Sequence, residues 1–265
     1  MITAKLRPAR DWLAIKLLNA ARRLATDPGW ASLLTELGST SMMSGLVGLR
    51  QRGLTPGRII DGGACKGDWT VLARRIFPSS KILMIEPQVQ HQAALMELCK
   101  TLGPGIHFAP QLVGPNEQSA VAFTVLDDNS GGTGSSVLPE NSDVPRHVVL
   151  IPMLTLDQLV ESTHFGQPNF IKLDVQGYEL AVLEGAQRCL RSADMVLLEI
   201  SFWPYNVGSP LAAEVLSWMD SHGFRPFDVF DFSRRAIDDM LVQMDVLFLR
   251  KNHPLLQDVQ TRFNK

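Results

Sequence analysis

An α/β fold built on a mostly parallel sheet is predicted by three observations. Short apolar strands alternate with helical stretches, a glycine turn follows the first strand, and several strands are apolar almost without interruption. Unbroken apolar runs belong to strands covered on both faces. A chain of 265 residues is long enough for one substantial core. The expected organisation is a helical extension over 1–57, a main domain over 58–252 and a tail over 253–265.

Residues 58–61 (RIID) read as the first strand, and 68–77 have helical apolar spacing that Pro78 stops. A second strand is expected over 81–86 (KILMIE), a helix over 88–102 closed by Gly103 and Pro104, and a single third strand over 106–113. Strand, helix, strand in this order implies parallel pairing with right-handed crossovers. The rhythm then breaks. Strands over 120–126 and 148–154 flank a Gly/Ser run, 129–136 (NSGGTGSS), which reads as a flexible loop, with a lid over a site as the second reading. Such an insertion can shape a site without forming a domain of its own. Alternation returns with a strand over 169–175, one helix over 178–193, a strand over 195–200 and a helix over 211–222. Closing strands are expected over 225–230 and 244–250.

Hydrophobic residues make up 45% of the chain and charged residues 20%, the proportions of a globular protein. A formal charge of −2 gives no general attraction to phosphate backbones, so nucleic acid is not an expected partner. Basic residues concentrate only near the start, at Lys5, Arg7, Arg10, Lys16, Arg22 and Arg23. Trp12, Leu13, Leu17 and Leu24 recur among them at helical spacing, which indicates a helix laid on the domain surface; membrane-surface attachment is the second reading. No apolar run there approaches the roughly 20 residues that span a bilayer, and charges interrupt every candidate signal-peptide core. Cys65, Cys99 and Cys189 are far apart and the six histidines are scattered, a pattern without a disulfide framework or a metal face. A reducing cytoplasm is the natural setting.

The turn 61–70 (DGGACKGDWT) stands at the carboxyl end of the first strand and the start of its helix, where nucleotide-type ligands bind. A dinucleotide fingerprint starting at Gly62 needs glycine at position 64, which is alanine. An acid followed by Gly63 and Gly67 suits a ligand with a cationic amine and a carboxylate, and S-adenosylmethionine has both. Asp61 would attract the amine directly or through water. Gly63 would admit close backbone approach, and helix N-terminal amides would meet the carboxylate. A bulky side chain at Gly63 is therefore expected to obstruct that approach without unfolding the sheet. Glu86 ends the second strand, where a carboxylate can accept from two ribose hydroxyls.

The stretch 169–199 contains Lys172, Asp174, Val175, Gln176, Gly177 and Glu179, followed by Val182, Leu183, Glu184, Gly185 and Ala186. With the glycine turn, with Thr155-Leu156-Asp157 and with 244–248 (MDVLF), it resembles the FkbM family of S-adenosylmethionine-dependent methyltransferases over roughly 58–250. The resemblance implies a Rossmann-like class I methyltransferase sheet with an antiparallel final strand, S-adenosyl-L-methionine as cofactor, and methylation usually on oxygen. One departure stands out: the family's turn often reads G-A-N-x-G, and Cys65 takes the asparagine position here.

Methyl transfer to a hydroxyl requires alignment of the acceptor oxygen and removal of its proton. Asp174 is the first candidate for general base or acceptor-positioning residue, with Lys172 on the same strand face as a charge partner. Glu199 at the end of the next strand, and Trp203 and Tyr205 just beyond it, are candidates for acceptor binding. The expected acceptor is a small molecule or glycan carrying a sugar hydroxyl. A nicotinamide-dependent oxidoreductase and a catalytically inactive cofactor-binding protein are the alternatives on the same sheet.

Overall fold

The computed structural model describes residues 41–126, 134–235 and 237–257. The chain divides into two units, residues 1–54 and 55–265. In the first, helix α1 (Met42–Gln51) starts at Ser41, whose hydroxyl accepts from the Ser44 amide at 3.2 Å. The basic helix expected near the start of the chain lies outside the described residues.

The second unit opens with β1 (Arg58–Gly62), α2 (Asp68–Ile76), β2 (Lys81–Ile85), α3 (Val89–Thr101) and β3 (Ile106–Ala109). Strands β4 (Leu112–Gly114), β5 (Gln118–Leu126) and β6 (Arg146–Thr155) follow, then α4 (Leu156–Ser162) and β7 (Phe170–Leu173). The remainder comprises α5 (Glu179–Glu184), α6 (Gln187–Ser192), β8 (Met195–Ser201), α7 (Ala212–Ser221), β9 (Phe224–Arg234), β10 (Leu241–Arg250) and α8 (Pro254–Gln257). Seven strands form one sheet in the order β3-β2-β1-β7-β8-β10-β9. The first five run parallel, β10 is antiparallel to β8, and β9 is antiparallel to β10.

Alternation along these strands sorts side chains onto two faces. Ile60, Leu83, Ile171, Leu173, Val196 and Leu198 belong to the core that also contains Leu159, Val182, Leu183, Leu190, Val215 and Met219 of the helices α4 to α7. The opposite face carries Ile59, Met84, Phe170 and Leu197, together with Asp61 and Lys172. The charged residues of the sheet centre are thereby kept on the face away from that large apolar core.

Two expected elements are divided. The third strand breaks at Pro110, which has no amide to donate to a ladder, and only β3 stays in the large sheet. The displaced piece, β4, pairs with β6 in a separate three-stranded sheet of order β4-β6-β5. The helix expected over 178–193 is split into α5 and α6, because Gly185 packs on the chain crossing it: a Cβ there would lie 2.1 Å from the Gly114 carbonyl oxygen. Asp157 restarts the helix by accepting from the Arg188 and Cys189 amides at 2.7 and 2.9 Å. Thr155 and Gln158 form a capping box at the start of α4. Residues 129–133 of the Gly/Ser run lie outside the described residues, while Ser136 pairs with Thr124 and carries the chain back onto β5.

Candidate active site

Strand register assembles the site. Gly62 pairs with Ile85 on one side and Leu173 on the other, Leu173 pairs with Leu198, and Asp245 pairs with Glu199. One step further along the chain, Glu86, Gly63, Asp174, Glu199 and Asp245 form a row across five neighbouring strands at the carboxyl edge of the parallel sheet. A cleft of about 670 Å³, counted to its open mouth, lies along the Glu86, Gly63 and Asp174 part of this row. Gly63, Glu86, Asp174 and Gln176 form part of its wall, and the three-stranded sheet contributes Leu112, Val113 and Phe123. Val137 and Tyr178 complete an apolar side. A mostly apolar cleft with a few convergent polar groups is the general form of a small-molecule site.

Glu86 is buried and held from two directions: the Cys65 amide donates to Oε2 at 2.8 Å and the Gln88 amide to Oε1 at 3.0 Å. A carboxylate has roughly four lone-pair positions, so acceptor capacity remains toward the cleft. Cys65 adopts a left-handed backbone, φ 48°, to deliver its amide. Asparagine tolerates that region better than most residues, which gives the family's usual residue at this position a conformational reason.

Asp61, expected to attract the ligand's amine directly or through water, is not part of the cleft wall. It has no solvent exposure and lies behind the wall, with Thr70 Oγ1 donating to Oδ2 at 2.7 Å and Lys172 Nζ to Oδ1 at 3.0 Å. Each of its oxygens thus already has a donor. Lys172 also approaches the Gly63 carbonyl at 3.3 Å and Asp174 Oδ2 at 3.8 Å. Burial alone favours its neutral amine, but Asp61 and Asp174 outweigh it and hold the ammonium above the ordinary lysine range.

The glycines are also required by the protein itself. A Cβ at Gly63 would stand 1.8 Å from the Asp174 carbonyl oxygen, so any side chain there separates the ends of β1 and β7. Such a change therefore acts on the sheet edge as well as on the approach of a ligand. Gly67 has φ +83°, and a Cβ there would meet Leu98 Cδ1 at 2.3 Å; its glycine lets α3 pack against the turn, away from the cleft wall.

Asp174 follows the last residue of β7, with its side chain 39% exposed and therefore open to a substrate. Gln176 holds it in place. This residue takes a left-handed backbone, φ 55°, and its amide donates to Asp174 Oδ1 at 2.9 Å and to Glu199 Oε2 at 3.0 Å. Ser136 donates to the Gln176 carbonyl at 2.9 Å, tying the Gly/Ser run to the same loop. Glu199 receives a second amide from Gln243 at 3.0 Å. It joins the cleft through Gln176 rather than forming the wall itself. Trp203 and Tyr205 stand outside the wall, 49% and 36% exposed on the loop after β8, with the Arg235 guanidinium 5.8 Å from the Trp203 ring centre.

Sequence reasoning missed Gln243, Asp245, Phe123 and Thr70. A lone acid within the apolar run 244–249 was the available signal for Asp245. Burial, reinforced by Asp174, pushes the Asp245 carboxyl up to about 7. Burial likewise pushes Glu179 to about 7, against backbone amides that include those of Val175 and Gly177. Glu199 is raised well above the carboxylate range by burial and then by Asp174. These acids bind a proton more tightly in the folded than in the unfolded chain. The stability they confer is present below their unfolded values of 3.8 and 4.5 and is lost as pH rises through about 7. Thermal midpoints measured from about pH 5 to about pH 8 should therefore fall less steeply in Asp245→Asn than in the wild type. Equal slopes for the two proteins would contradict this.

Among the described residues, no helix is long and apolar enough to cross a membrane, and no group of three or more His, Cys, Asp or Glu residues is arranged to hold a metal ion.

Strand order, the antiparallel β10 and the glycine turn after β1 define a class I, Rossmann-like methyltransferase fold. The FkbM methyltransferase domain model matches residues 61–226, more than half of the chain. This protein belongs to the FkbM methyltransferase family. It is 44% identical over 50 residues to the hexuronic acid methyltransferase AglP of Haloferax volcanii, a match covering 19% of this chain and 21% of that protein. Its fold is similar to the methyltransferase FkbM of Methylobacillus flagellatus KT, with a TM-score of 0.44 and 16% identity, covering 72% of this chain and 43% of the other. A second similar structure is the magnesium protoporphyrin IX methyltransferase ChlM of Synechocystis PCC 6803 with bound SAM, with a TM-score of 0.45 and 12% identity, covering 78% of this chain and 76% of that one.

Proposed function

We propose that this protein is an S-adenosylmethionine-dependent methyltransferase that methylates a hydroxyl of a sugar, glycan or glycosylated secondary metabolite. The observation that carries the proposal is the row Glu86, Gly63 and Asp174 along one cleft, a buried carboxylate, a bare backbone turn and a partly exposed carboxylate side by side. The cleft residues fit the cofactor chemically. Glu86 has the spare acceptor capacity that two ribose hydroxyls need, and Phe123 and Val137 offer apolar surface to a ring. When bound, the cofactor supplies an activated methyl group on a sulfonium.

The work left to the chain is orientation and proton removal. Holding the acceptor hydroxyl in line is worth roughly 7–11 kcal/mol. Asp174 is exposed enough to meet that hydroxyl and accept its proton, while Gln176 and Lys172 fix the carboxylate from behind. Glu199 supports the loop through Gln176, and Trp203 and Tyr205 flank the approach with aromatic surface suited to a sugar ring. The short likeness to a hexuronic acid methyltransferase points to the same acceptor class.

A labelled-methyl assay across glycan, small-molecule, RNA and protein fractions tests the acceptor class. Label is expected in the glycan or small-molecule fraction, and label confined to RNA or protein would sink the reading.

A further inference from the structure

Four buried side-chain polar atoms among the described residues have no hydrogen-bond partner, and three of them belong to one pair: both carboxylate oxygens of Glu140 and the amide nitrogen of Asn206. The two residues are 8% and 3% exposed. They face each other across an isolated antiparallel bridge. The Asn141 amide donates to the Tyr205 carbonyl at 2.9 Å and the Val207 amide to the Pro139 carbonyl at 2.7 Å, so Glu140 and Asn206 form the non-hydrogen-bonded pair between these bonds. In such a pair the Cα atoms approach to about 4.5 Å and the side chains share one face. The Arg146 guanidinium is 3.9 Å from Glu140 Oε1, near enough for attraction and too far for a hydrogen bond. A buried carboxylate and a buried amide left without partners are costly, and their coincidence at one place marks a site that something polar completes.

The pair adjoins the cleft. A Cβ on Gly134, part of the cleft wall, would lie 3.8 Å from Glu140 Oε2, and one on Gly177 would lie 3.5 Å from Asn206 Cβ, next to the wall residue Gln176. On the outer side, the same two strands continue into exposed Tyr205. We propose that Glu140 and Asn206 form the acceptor subsite and take two neighbouring hydroxyls of a neutral glycoside. The carboxylate accepts from one hydroxyl and the amide donates to the other, with the ring held in the cleft beside Gly134 and Gln176 and its hydroxyl edge turned toward the pair. The two atom types are complementary to a diol, whose hydroxyls both donate and accept. This inference rests on the methyltransferase reading and adds the residues that choose the acceptor.

The experiment uses the full chain loaded with S-adenosylhomocysteine. Methyl glycosides of glucose, galactose, mannose and rhamnose serve as probes, and binding is followed by saturation-transfer NMR. At least one glycoside should bind the wild type. Glu140→Gln should weaken that binding roughly tenfold, because the amide oxygen still accepts but without the charge, and Asn206→Ala roughly 10- to 100-fold, because the buried donor to the sugar is lost. S-adenosylhomocysteine affinity should stay within about twofold, and the thermal midpoint of Glu140→Gln should change little, because the carboxylate has no hydrogen bond to lose and only a 3.9 Å attraction to Arg146. Binding of S-adenosylhomocysteine with no glycoside bound would overturn the subsite and leave the methyltransferase reading standing. Unchanged glycoside binding in Glu140→Gln would also overturn it, leaving a structural water as the pair's partner. If Asn206→Ala does not fold, Glu140→Gln alone decides. Failure of the wild type to bind S-adenosylhomocysteine would count against the underlying reading itself.

Discussion

Asp174→Asn should lower turnover by about 10²–10⁴-fold, the usual contribution of a positioned general base. The substitution keeps the shape and the oxygen that accepts from Gln176 at 2.9 Å, and it removes the negative charge and the capacity to take a proton. The thermal midpoint and the affinity for S-adenosylhomocysteine should change little. Single-turnover rates at saturating cofactor and acceptor measure the effect free of product release. Turnover within about threefold of wild type would remove Asp174 from proton transfer and leave it only a part in shaping the turn.

Lys172→Met should cost about 3–5 kcal/mol of stability, because it leaves the Asp61 carboxylate fully buried with Thr70 as its remaining side-chain partner. In a domain of this size that corresponds to a fall on the order of 10 °C in Tm. Asp61→Asn together with Lys172→Met should recover part of the loss, since no charge then remains to be compensated. Equal losses in the single and double variants would show that packing of the lysine stem, and not the buried charge, was responsible.

The sheet was legible because strand identity here depends on local pattern: runs such as KILMIE and MVLLEI are buried on both faces and declare themselves. The positions of Glu86, Asp174 and Glu199 at strand ends were legible for the same reason, and parallel register then aligned them. What failed to show in the sequence depends on contacts between distant segments. Nothing near Gly185 announces that Gly114 crosses it, so one helix was expected where α5 and α6 stand. Pro110 was a visible breaker, but the transfer of β4 to a second sheet depends on its pairing with β6, some forty residues on. Asp61 looked like a ligand residue from its place in the glycine turn; only its pairing with Lys172, 111 residues away, shows that its carboxylate is already engaged. The Glu140 and Asn206 pair was invisible for the same reason, since neither residue carries a motif and the bridge joins two loops.

The cleft beside Glu86 is proposed to hold an adenosyl sulfonium cofactor. Calorimetric titration of the wild type and of Glu86→Ala with S-adenosylhomocysteine, and in parallel with NAD and NADP, tests it most directly. S-adenosylhomocysteine should bind the wild type at one site and bind Glu86→Ala at least tenfold more weakly, the consequence of losing a charged acceptor for the ribose hydroxyls, about 1.5–3 kcal/mol. Binding of NAD or NADP without binding of S-adenosylhomocysteine would instead make the cleft a nicotinamide site.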